Sequence, residues 1–152
     1  MSEGSLREKL CGVWTLERFI DVRDGNEVVH TMGEGATGYI SYSPDGWVSV
    51  QIMSAEREQF NNADITGGTT EQLAKASTSY FAYAGEYVTN EAEQTVTHHL
   101  DFCLIPNWVN SAQLRHVEFS ENDMLLTLSS DPMVFDDVTH NPELRWRRRV
   151  NG

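Results

Sequence analysis

Alternation of apolar and polar residues with a period of two dominates the chain, the signature of half-buried β-strands. "LCGVWTLERFIDVRDGNEVV" opens it with Trp14, Leu16 and Ile20 assigned to one face and "DGN" at 24–26 as a turn. "ATGYISYSPDGWVSVQIM" predicts a hairpin: two β-rich runs flank "SPDG", where Pro presets φ and Gly takes the position that needs φ > 0. The period is lost over 55–81, where we expect a short helical turn near 55–61 and a helix near 69–80 with Thr69 as N-cap. Strands resume at "AYAGEYVT", "QTVTHHLDFCL", "QLRHVEFS", "MLLTLSS" and "ELRWRRRV". The expectation is one all-β domain over residues 1–152, an antiparallel up-and-down barrel of about eight strands with one helix covering a barrel end.

The stretch "THHLDFCLIPNWVNSAQLRHVEF" complicates that pattern. Alternation puts His98 in a row with Val96, Leu100 and Phe102, and puts Gln113 and Arg115 in a row with Val117 and Phe119. Two neighbouring strands thus direct polar groups toward the apolar side. Either these groups satisfy one another in a core, or the interior is a cavity that holds something. An inward guanidinium cannot shed its proton and is costly to bury unpaired. Asp101 and Glu118 lie one residue out of phase, so a ligand carbonyl, enolate or carboxylate is the partner in one reading, and a bulge-shifted Asp101 or Glu118 in the other.

Other side chains suit a pocket wall. Tyr83, Gly85 and Tyr87 share a face, and Tyr80 ends the preceding helix. Trp108, after Asn107, sits at a strand corner. Gln51 is a weaker candidate, because Val48, Val50 and Ile52 form the more apolar row of its strand. The candidate set is therefore His98 and Arg115 for chemistry, with Gln51, Tyr80, Tyr83, Tyr87, Asn107, Trp108 and Gln113 for ligand contact.

Charge narrows the partners. The net charge of −12 disfavours nucleic acid and anionic membranes. The basic "ELRWRRR" reads as the polar side of a last strand. No run is long enough to span a bilayer and no signal peptide is evident, so the protein is expected in the cytoplasm with Cys11 and Cys103 reduced. His98, His99 and His116 lack metal-ligand spacing, and we expect no metal and no cofactor. No nucleophile elbow, phosphate loop or inward carboxylate pair is present either. A homodimer stays open.

The motifs "GVW" at 12–14, "GYISYSPDGW" at 38–47, "YFAYAGEY" at 80–87, "VTHHLDFCLIPNWVNSAQLRHVEF" at 96–119 and "LRW" at 144–146 together resemble the lipocalin-like domain family. The resemblance runs from about Leu10 to Arg148 and implies a calycin-type barrel with an internal cavity. Similar domains occur in natural-product pathways, some barrels of that shape acting as cyclases or isomerases and others only as binders, so the fold alone does not choose. The likeness to secreted lipocalins further implies that Arg148 stacks on Trp14 at the closed end, in a structural role. Two functions are carried forward: binding of a small hydrophobic molecule with a carbonyl or acid end, and an isomerase or cyclase with His98 as acid or base and Arg115 stabilising negative charge. A ligand-free structural barrel is the third reading, if the inward polar groups satisfy one another in a filled interior.

Overall fold

A computed structural model of the chain describes residues 4–150. Eight antiparallel strands close into a barrel: β1 (Gly12–Arg23), β3 (Thr37–Tyr42), β4 (Trp47–Met53), β5 (Tyr80–Asn90), β6 (Thr95–Cys103), β7 (Ala112–Ser120), β8 (Leu125–Ser129) and β11 (Pro142–Arg148). Each strand pairs with the next in that order, and β11 returns to β1 with Trp14 opposite Arg148. The short β2 (Glu27–His30) extends the far half of β1, and β9 (Met133–Phe135) and β10 (Val138–His140) form a separate hairpin that the strand patterns had not suggested.

Local chemistry fixes the β3–β4 turn. Ser43 Oγ accepts from the Trp47 amide at 3.0 Å, the Gly46 amide donates to the Ser43 carbonyl, and Gly46 adopts φ +94°, where a side chain is strained. The alternating rows then sort as hydrophobic burial demands. Val48, Val50 and Ile52 are buried in the barrel, while Gln51 and Met53 face outward.

Two bulges alter the register. One extra residue, Glu17, lies between Leu16, opposite Trp146, and Arg18, opposite Arg145. Trp14 and Leu16 point inward before it; Phe19 and Asp21 do so after it, and Ile20, although buried, lies outside the main core cluster. The expected grouping of Ile20 with Trp14 and Leu16 is thereby corrected. The second bulge adds Asp101 to β6, since Gly85 opposes Leu100 and Ala84 opposes Phe102. Phe102 consequently leaves the inner row of His98 and Leu100 and is 65% exposed. Gly85 sits at this irregularity, where a Cβ would lie 1.7 Å from the His99 carbonyl oxygen, so its small size serves close strand approach.

One end of the barrel is sealed by α1 (Leu6–Leu10), which the sequence reading lacked. Ser5 caps it, and Leu6 and Leu10 are buried against the core. Trp14 donates from Nε1 to the Leu10 carbonyl at 2.9 Å, and the Arg148 guanidinium lies 4.1 Å from the Trp14 ring centre. Arg148 also donates to the carbonyls of Lys9 and Cys11 at the end of α1 and to that of Asp123 in the β7–β8 turn. The expected helix is present as α2 (Thr70–Thr78), with a capping box between Thr69 and Gln72, but it buries no residue. Residues 55–61 form no helical turn. No helix among the described residues is long and apolar enough to cross a membrane.

Candidate functional site

The halves of the strands away from α1 enclose a cavity of about 420 Å³, within the range that holds a small molecule. Its walls are largely apolar, with Phe19, Ile52, Phe81, Leu128, Leu144 and Trp146 contributing. Among the candidate residues, Tyr83 on β5, Trp108 in the short 3-10 turn Pro106–Trp108, and Gln113 and Arg115 on β7 line it. Trp108 is held edge-on to Phe81, with ring centres 5.6 Å apart.

Arg115 is the least satisfied of these groups. On β7 it pairs with Val96 of β6, and the unbroken β6–β7 register carries Gln113 and Arg115 to the same face. Its guanidinium forms no ion pair among the described residues and donates one hydrogen bond, to the Leu114 carbonyl at 3.0 Å. Neither carboxylate weighed as a bulge-shifted partner meets it: Asp101 pairs with His99 at 3.4 Å, and Glu118 is exposed. Asp21 and Asp131 also line the cavity, but neither forms an ion pair with Arg115, so the half-buried guanidinium keeps donors that a ligand can use.

His98 stands one layer behind the cavity wall, fully buried and not lining the space. Tyr42 Oη lies 2.6 Å from its Nε2 and Tyr83 Oη 2.7 Å from its Nδ1. Burial, and secondarily the positive charge of Arg115, push the imidazole down from 6.5 to about 3, so it is neutral. A neutral imidazole has one donor and one acceptor. His98 is the sole hydrogen-bond partner of the Tyr42 hydroxyl among the described residues, so the arrangement that wastes no buried O–H has Tyr42 donating to Nε2. Nδ1–H then donates to Tyr83, and the Tyr83 hydroxyl hydrogen is left for the cavity. Burial raises the Tyr83 phenol to about 12 against the opposing pull of Arg115, so it stays a donor.

The remaining candidates lie elsewhere. Tyr87 is buried toward the sealed end, donating to the Ser43 carbonyl at 2.7 Å and packing edge-on to Tyr42. Gln51 and Tyr80 hydrogen-bond each other outside the cavity, because alternation on β4 and β5 sends Val50, Ile52, Phe81 and Tyr83 inward instead. Gln51 also donates to Tyr39 at 3.2 Å, and Arg57 stacks on the Tyr80 ring. Asn107 is exposed on the 3-10 turn. The histidines do not gather: Thr95, not His99, opposes His116, and His99 and His116 pair with Asp101 and Asp131.

Asp21 escaped the sequence reading. It is 6% exposed, lines the cavity, and accepts from His140 Nδ1 at 2.6 Å, Arg23 Nε at 3.0 Å and the Asn141 amide at 2.8 Å. Burial raises its pKa, but those hydrogen bonds outweigh burial and hold it below the ordinary carboxylate value. The signal was the break in alternation at "RFID", where Phe19 and Ile20 are adjacent apolar residues after an out-of-phase Arg18.

The lipocalin-like domain profile matches residues 11–149. The chain belongs to the lipocalin-like domain family. A curated relative from Aspergillus oryzae, the 4'-hydroxy-3'-methoxypropiophenone carrier protein, is 28% identical over 107 residues, covering 66% of this chain and 96% of the relative. The closed barrel, the sealed end with its Trp14–Arg148 stack and the internal cavity accord with what the family resemblance implied.

Proposed function

We propose that this lipocalin-like barrel is a carrier for a small hydrophobic molecule with a carbonyl or carboxylate end. The observation that carries this reading is Arg115, a cation without an ionic partner among the described residues, in the wall of a largely apolar cavity. Arg115 and the Tyr83 hydroxyl hold the polar end, with Gln113 beside them, while Phe81, Trp108 and Trp146 pack on the apolar body. The relative's name supports the class: an aryl ketone is apolar along its ring and accepts hydrogen bonds at its carbonyl.

The isomerase or cyclase reading needs a proton-transfer group in reach of substrate. His98 does not line the cavity, and its neutrality across the physiological range suits orienting Tyr83 better than shuttling protons. Carriage is therefore favoured.

Native mass spectrometry of the purified protein, followed by extraction and titration with 4'-hydroxy-3'-methoxypropiophenone, tests the proposal. Saturable binding that quenches tryptophan emission and weakens at least about tenfold in Arg115→Met is expected. Absence of any co-purifying molecule together with no binding of the ketone would overturn it.

A further inference from the structure

The cavity carries a second polar focus. Around the eight-strand ring, β6 is diametrically opposite β1, with β5 and β7 flanking β6. Tyr83 on β5 and Arg115 on β7 therefore occupy one wall, and both are hydrogen-bond donors. Asp21 on β1 occupies the opposite wall and is an acceptor.

Asp21 is prepared for a particular kind of group. An ionised carboxylate offers about four acceptor positions. Three are filled here, by His140 and Arg23 on Oδ2 and by the Asn141 amide on Oδ1. Oδ1 keeps one position, in a buried carboxylate fixed from three directions. Arg23 already compensates its charge at 3.0 Å, so a ligand cation is not required and would compete with Arg23. A neutral hydroxyl fits: it supplies one hydrogen bond without adding a charge to be desolvated. Across the cavity, Arg115 presents hydrogens alone and the Tyr83 hydroxyl offers its hydrogen beside it, so that wall favours an acceptor end.

We infer that the ligand is double-ended, an apolar body spanning the barrel with a hydrogen-bond acceptor at the Arg115–Tyr83 wall and a hydroxyl donor at Asp21. The acceptor half of this inference rests on the function proposed above; the hydroxyl half rests on Asp21. The molecules selected are hydroxy-ketones or hydroxy-acids with a rigid apolar core, and simple ketones or fatty acids of equal size bind more weakly.

Three fluorescent ketones separate the two halves: 2-acetonaphthone, 6-hydroxy-2-acetonaphthone and 6-methoxy-2-acetonaphthone, titrated into the full chain at a pH where the naphthol is neutral. The hydroxy compound is expected to bind at least about tenfold more tightly than both others, since its bond is to a charged acceptor. Arg115→Met should weaken all three while preserving that preference, and Asp131→Asn, at the exposed carboxylate also lining the cavity, should leave it intact. Equal binding of the three, or tighter binding of the methoxy compound, overturns the inference while leaving the carrier reading standing. Loss of the preference in Arg115→Met or in Asp131→Asn overturns the assignment of the hydroxyl to Asp21. If none of the three binds while 4'-hydroxy-3'-methoxypropiophenone does, the inference falls and the carrier reading stands; if that ketone is not bound either and nothing co-purifies, both fall.

Discussion

Two arginines of the same barrel have opposite circumstances. Arg148, at the sealed end, lies over Trp14 and donates to three backbone carbonyls. Arg115, in the cavity half, has one hydrogen bond to its neighbour's carbonyl and no ion pair among the described residues. Both come from strands with inward-facing apolar neighbours, so residue type and periodicity treat them alike. What separates them is whether the protein completes their hydrogen bonding. A half-buried cation whose hydrogen bonds the protein completes belongs to the fold; under the function proposed above, one left with a single bond beside a cavity serves the ligand.

The contrast can be broken from the sealed end. Leu10→Ala empties a fully buried site on the inner face of α1 and should cost about 2–5 kcal/mol of unfolding free energy in urea. Arg148→Ala removes the ring contact and three donors, and should cost about 2–3 kcal/mol by the same assay. A negligible loss in either would mean that this end does not anchor the barrel.

The tyrosine pair sharpens the cavity side. Tyr42→Phe leaves His98 Nε2 buried without a donor and should cost about 1–2 kcal/mol. It should also loosen the orientation of Tyr83, weakening ketone binding by a few-fold. His98 itself gives a pH signature. Its folded-state value of about 3 is below its ordinary 6.5, so above 6.5 neither state takes up the proton and stability is insensitive to it. As pH falls from 6.5 toward 3 the unfolded chain binds the proton first, and stability drops by up to about 1.4 kcal/mol per pH unit. Unfolding midpoints of wild type and His98→Gln across this window should converge as pH falls, because the variant lacks this component. Parallel profiles would contradict the buried neutral imidazole.

The sequence was most legible where strands pair without irregularity. The "SPDG" hairpin, the inward row of Gln113 and Arg115 and the facing of Tyr83, Gly85 and Tyr87 follow from alternation and turn chemistry. It was least legible past the two bulges, since one extra residue reverses the facing of every position beyond it. Glu17 thereby brings Asp21 inward and Asp101 turns Phe102 out. Tyr80 and Gln51 illustrate a different limit: an aromatic or amide that suits a pocket is as readily satisfied outside, and these two satisfy each other. The helix α1 spans five residues, too few for a helical period to stand out.

Whether Arg115 serves a ligand or the fold is most directly read from equilibrium urea unfolding of ligand-free Arg115→Met beside wild type. Stability is expected to be unchanged within about 0.5 kcal/mol, or raised, because the substitution removes a charge that forms no ion pair among the described residues. A loss of more than about 2 kcal/mol, comparable with Arg148→Ala, would contradict it and return Arg115 to the structure.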